Sequence, residues 1–100
     1  MVVTPEFKKD FGNLDNDLQA EVKEILRSLE NGEEITGAFI RPLMKDLKGF
    51  TSVHFHKNSY RLIYREVKNK IKIIVLMVGP RGNEGGIYDR FRELKNKRKL

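Results

Sequence analysis

The 100-residue chain has no cysteine, which excludes a disulfide framework and any thiolate metal site. It has only two histidines, and no carboxylates stand at the spacings that would complete a zinc site with them. No metal and no other cofactor is expected. The N-terminus lacks the apolar run of a signal peptide, and no run approaches the length that spans a membrane. The longest apolar block, "IKIIVLMVG", is strand-sized. These absences predict a cytoplasmic protein with no membrane partner. Repeats, low-complexity tracts and interior linkers are also missing. A chain of this length with 39% hydrophobic residues predicts one domain, residues 1–100, around one modest core. Its basic tail, 95–100, is expected to fray.

Charge is present in quantity and unevenly placed. The net charge is +6, yet residues 1–34 carry nine acidic and four basic side chains, and residues 35–100 carry sixteen basic and five acidic. From Arg90 to Leu100 there are six basic residues and one acidic. A basic half ending in a basic tail suits a polyanionic partner: nucleic acid, an acidic protein segment or an anionic membrane.

Along the chain, Met1 to Val3 suits a short strand. Thr4 then suits a helix cap and Pro5 the first helical position, where its missing N–H is no loss. Phe7, Phe11 and Leu14 follow at helical spacing. Asp15 or Asn16 opens a second helix with the apolar stripe Leu18, Val22, Ile25, Leu26 and Leu29, ended by Asn31-Gly32. This pair of helices is expected to cover one face of a sheet. "EEITGAFIRPLMKDLKGF" reads as an irregular loop with a short turn of helix, because Gly37, Pro42 and Gly49 argue against one long element. "TSVHFHK", "SYRLIYREV" and "IKIIVLMVG" read as three strands, with "KNK" (68–70) turning between the last two. The third is apolar enough to be covered on both sides, although cover on one side also fits. "PRGNEGG" is a glycine-rich connector, and "IYDRFRELKNKRKL" a terminal helix. The fold class is α+β: a small, curved antiparallel sheet packed under two N-terminal helices, with a short C-terminal helix.

Both histidines lie in the first hairpin. If Lys57-Asn58 is its two-residue turn, His56 faces Ser59, Phe55 faces Tyr60, His54 faces Arg61 and Val53 faces Leu62. Directly opposite residues share a face, so His54, His56 and Arg61 are expected on one polar face, away from Val53, Phe55, Tyr60 and Leu62. Such a face is either merely solvated or a site where an anion is bound and worked on. Arginine gives a planar, permanently charged fork for phosphate. Histidine gives or takes a proton near neutral pH. RNA carries its own nucleophile, the 2′-hydroxyl, so its cleavage needs only a base, cations around the phosphorane and an acid. Arg81, just past the third strand, and Tyr88 reach toward the same face. Phe55, Tyr60, Tyr64 and Phe91 suit packing better than base stacking.

"DLKGF", "YRLIY", "VLMVGPR" and "IYDRF", in that order behind two helices, resemble the RelE/ParE toxin superfamily, and within it the RelE-like ribosome-dependent mRNA endonucleases. The resemblance covers nearly the whole chain. It implies an endoribonuclease toxin of a toxin–antitoxin system, acting without metal. Such a toxin enters the A site of the small ribosomal subunit, cuts the codon by 2′-hydroxyl attack, and arrests translation and growth. It also implies a cognate antitoxin with an acidic, extended or helical segment. Arg61 matches the arginine that holds the scissile phosphate, Arg81 a transition-state stabiliser or acid, and Tyr88 a tyrosine that stacks on a base or moves a proton. Where RelE-branch members carry two lysines, this chain has Ser52 and His54, with His56 beyond. That departure implies a scheme with one imidazole as base and the other as acid. Lys45, Lys48, Lys57 and Arg65 are expected to contact mRNA or ribosomal RNA. Two other functions fit the superfamily: a ParE-like inhibitor of DNA gyrase acting by protein–protein binding, and an RNA-binding relative with a decayed active site.

Overall fold

The computed structural model describes residues 1–67, 72–82 and 86–98. The expected turn at 68–70 and residues 83–85 of the glycine-rich connector lie outside them, as do residues 99 and 100 of the tail.

Thr4 opens α1 (Pro5–Gly12) as expected, its hydroxyl accepting the Phe7 N–H at 3.0 Å. Asp15 caps α2 (Asn16–Asn31) through the Leu18 N–H at 2.9 Å, and Gly32 ends it in the left-handed conformation. The strands are β1 (Val2–Val3), β2 (Phe39–Pro42), β3 (Thr51–Phe55), β4 (Tyr60–Val67) and β5 (Lys72–Pro80), followed by α3 (Ile87–Arg98). They form an open sheet in the order β1-β5-β4-β3-β2. The expected α+β architecture is present, with one refinement: the sheet is mixed, because β1 runs parallel to β5. A second difference is β2, which occupies part of the segment read as a loop. It pairs antiparallel with β3, and only the 3-10 turn at Lys45–Leu47 was foreseen there.

The sheet is covered on both faces. On one, Phe7 of α1 and Leu18, Val22 and Ile25 of α2 pack on Val53, Phe55, Leu62, Tyr64, Val75 and Val78. On the other, Ile87 and Phe91 of α3 join Leu47 and Phe50 over Ile63, Leu76 and Met77. This settles the cover of β5, whose continuous apolar run serves both cores. Each fully buried aliphatic side chain contributes about 1.5–3 kcal/mol of transfer free energy, so two small cores suffice for a chain this short.

What fixes α3 is partly electrostatic. β1 covers only the start of β5, so near Val78 and Gly79 that strand edge is open. There the buried Asp10 of α1 accepts the Val78 N–H at 3.3 Å and pairs with Arg90 of α3, which passes Gly79. Arg98 adds a second α3–α1 pair with Glu6, at 2.5 Å. The acidic first third of the sequence thus holds down the basic last helix. Replacing Asp10 by alanine strands a buried N–H, whereas the partly exposed Arg90 can rehydrate. The expected loss is therefore about 1–3 kcal/mol rather than that of a fully buried pair, read as a lower urea midpoint at unchanged slope.

Candidate active site

The β3–β4 hairpin has the expected register. Phe55 pairs with Tyr60, His54 with Arg61 and Val53 with Leu62. The turn closes with the Ser59 N–H on the His56 carbonyl at 3.2 Å, but it is longer than the two residues expected: His56, Lys57 and Asn58 all have positive φ, His56 and Ser59 do not pair in the ladder, and the connection runs from 56 to 59. Ser52 and His54 of β3 and Arg61 of β4 lie on the sheet face opposite α1 and α2, and all three are buried.

That face opens into a cleft of about 300 Å³ lined by Arg41, Leu43, Met44, Leu47, His54, Arg61, Arg81, Tyr88 and Arg92. Four expected residues, His54, Arg61, Arg81 and Tyr88, thus meet in one place. Ser52 is fully buried on the same sheet face, and the Tyr88 hydroxyl donates to its Oγ at 3.2 Å. Arg61 is only 3% exposed. One terminal nitrogen donates to the Asn58 carbonyl at 2.7 Å and the Tyr60 carbonyl at 3.2 Å, while its buried Nε has no hydrogen-bond partner. His54, 5% exposed, likewise buries an Nε2 without a partner. Burial lowers the proton affinity of this imidazole below its ordinary value. The Arg61 charge adds to that, the Asn58 side chain opposes it, and Arg41 and Arg81 lower it further. The result is a neutral imidazole among guanidinium groups, able to accept a proton but poor at holding one.

Two glycines set how closely α3 meets this cleft. Gly79 is the β5 partner of Arg61, and a Cβ on it would lie 2.9 Å from the Arg90 guanidinium. A Cβ on Gly86 would lie 2.0 Å from the Arg81 carbonyl oxygen. Only glycine at 86 lets the helix bearing Tyr88 begin directly against Arg81, the residue that follows β5.

Five expected site residues stand elsewhere. His56 does not share the polar face. Its φ of +52° takes it out of the strand, and its Nδ1 pairs with Glu21 of α2 at 2.8 Å. The expectation that alternation would keep it beside His54 is corrected, because alternation holds only while the backbone stays extended. Arg65 lies with its guanidinium 5.8 Å from the centre of the Phe50 ring. Lys45, Lys48 and Lys57 are exposed and line no part of the cleft. Of the four aromatics expected to pack, Phe55, Tyr64 and Phe91 are buried and Tyr60 packs against the core.

Two charged residues of the cleft carried no clear signal in the sequence. Arg92 is tied to Asp46 at 3.0 Å and Asp89 at 3.5 Å. Arg41 of β2 lies opposite Ser52 and forms no ion pair among the described residues. No period in the sequence marks it, because all four residues of β2 are exposed, and Pro42 follows it directly. Among the described residues no group of three or more histidine, aspartate or glutamate side chains is placed to hold a metal ion, and no helix is long and apolar enough to cross a membrane.

No protein-family model matches the chain, and neither does any curated protein. Solved structures do. A chain of the RelBE2 toxin–antitoxin complex from Mycobacterium tuberculosis is 25% identical, with 76% of this chain and 89% of that one covered and a TM-score of 0.58. For the RelB–RelE antitoxin–toxin complex from Methanococcus jannaschii the figures are 20%, 91%, 99% and 0.65. For the isolated RelE toxin of E. coli they are 17%, 99%, 96% and 0.58.

Proposed function

We propose that this chain, which has the RelE-like toxin fold, is the toxin of a toxin–antitoxin pair and cuts mRNA on the ribosome. The observation that carries the reading is the convergence of His54, Arg61, Arg81 and Tyr88 on one basic cleft. His54 takes the proton of an RNA 2′-hydroxyl. The freed oxygen attacks the adjacent phosphorus, the bond to the 5′-oxygen breaks, and a cyclic 2′,3′-phosphate is left. Arg61 and Arg81 hold the phosphate as negative charge builds on its oxygens, a task suited to fixed donors that need not reorganise. With His56 turned toward α2, a two-imidazole scheme does not fit. The acid that protonates the leaving 5′-oxygen is then Tyr88, which lines the cleft and whose hydroxyl donates to Ser52. The chemistry asks for no metal.

The exposed lysines Lys45, Lys48 and Lys57 then contact ribosomal RNA rather than the reacting phosphate, each weakly and in a salt-dependent way. The antitoxin supplies an acidic segment that neutralises the cleft, as the charge of the basic half favours. The test adds the purified protein to a translating extract with one defined mRNA and maps 5′ ends by primer extension. The expected result is codon-phased cuts that need ribosomes and vanish with Arg81→Ala. Intact mRNA and unimpaired translation would sink the proposal and turn attention to gyrase.

A further inference from the structure

The edge strand β2 places two residues on the cleft face that the reaction above does not use. Phe39 pairs with His54 and Arg41 with Ser52, so both share the face of the buried histidine. The Phe39 ring packs against the His54 imidazole, centroids 4.6 Å apart at 47°, yet the residue is 51% exposed. A flat ring covered on one side and half exposed offers its other side to solvent. Arg41, two residues on, is exposed and has no carboxylate partner among the described residues. The two are separated by about 6.6–6.8 Å along the strand, a span that one nucleotide unit covers. An unpaired guanidinium beside an open aromatic face is the pairing that single-stranded nucleic acid selects: a charge for the backbone and a surface for a base.

We propose that Phe39 and Arg41 form a nucleotide subsite next to the reacting phosphate, with one base of single-stranded RNA stacked on Phe39 and a flanking phosphate held by Arg41. The subsite rests on the reading of the cleft as an RNA site, but not on cleavage. Phe39 also covers His54, so the stacked base closes the cleft over the buried imidazole. Arg41 acts on the flanking phosphate and also adds one of the smaller charges that lower the His54 proton affinity, and Phe39 acts on the base while covering His54. Their loss therefore weakens substrate binding without removing a group from the reaction.

The test uses the full chain and a short single-stranded RNA. The RNA carries 2-aminopurine beside a position made uncleavable by a 2′-deoxy sugar. Stacking on Phe39 is expected to quench the fluorophore. Phe39→Leu keeps apolar bulk over His54 but removes the ring. It is expected to abolish the quenching and weaken binding about tenfold or more, while Phe39→Tyr retains both. Arg41→Ala is expected to weaken binding and to lower the salt dependence by about one phosphate contact. In the ribosomal cleavage assay the same variants should raise KM by a larger factor than they lower kcat. No quenching by the wild-type protein, or quenching that persists in Phe39→Leu, overturns the subsite. So does a Phe39→Leu protein that loses only antitoxin binding, since the ring then belongs to a protein interface. Quenching without any mRNA cleavage would uphold the subsite and sink the nuclease. Cleavage indifferent to Phe39, with no quenching, would do the reverse.

Discussion

His54→Ala is expected to lower the single-turnover rate of mRNA cleavage by about 10²–10⁴-fold, the range that loss of a positioned proton acceptor produces. KM should barely move, because Arg61 and Arg81 still hold the phosphate. A packing role would also make the alanine variant harmful, since His54 is buried between Phe39 and Arg61. His54→Gln separates the two. It keeps bulk and polarity, so packing predicts rescue and proton transfer predicts none. The pH dependence supplies a second signature. Burial and then the arginine charges hold the imidazole below its usual value of about 6.5. Its reactive neutral form therefore dominates at neutral pH, and the rate should rise along an acid limb lying below that value and be level by pH 7. Stability follows the same proton. Below about pH 6.5 the unfolded chain takes up this proton more readily than the folded one. Stability should thus fall as pH drops through that window, and the fall should be shallower in His54→Gln. A rate limb centred at or above the ordinary histidine value would contradict the burial seen here.

Why the hairpin was legible and its tip was not has a single cause. Val53, Phe55 and Leu62 alternate with polar residues, and a one-residue slip would have put that whole apolar set in water, so the register was over-determined. His56 lies where alternation ends. Three successive positive φ values at His56, Lys57 and Asn58 turn the chain, and the second histidine leaves with the turn. β2 was illegible for a different reason. As an exposed edge strand it buries neither face, so burial writes no period into it, and Pro42 is tolerated at an edge although it argues against a central strand. Arg41 was missed along with it. The Asp10–Arg90 pair spans most of the chain, and nothing local in either residue announces the other. The cleft residues that were legible sat in short ordered motifs on regular strands or at the helix start. The others depended on which side of the sheet a loop or an edge happens to reach.

Gly86→Ala should separate position from composition at the site. The new Cβ would fall 2.0 Å from the Arg81 carbonyl oxygen and 2.8 Å from that of Gly82, both backbone atoms that no side-chain rotation can clear. Something larger must move. Arg81 is held by its N–H on the Ser59 carbonyl at 2.9 Å, and α3 by the buried Ile87 and Phe91 and by the Asp10–Arg90 pair. The relief therefore comes as a shift of the first turn of α3, which carries Tyr88, away from Arg81 just past β5. A displacement near 1 Å costs about 100-fold in rate when the reacting groups are otherwise intact. Overpacking of this kind should cost only about 1–3 kcal/mol of stability, leaving a folded protein with a nearly silent site. Gly12→Ala is the matched control: a Cβ there meets nothing within 4 Å, and the substitution should leave cleavage unchanged. The comparison needs kcat and a urea midpoint for each variant. A Gly86→Ala protein with full activity would mean that Arg81 and Tyr88 need not be held together, and would remove Tyr88 from the proton-transfer role.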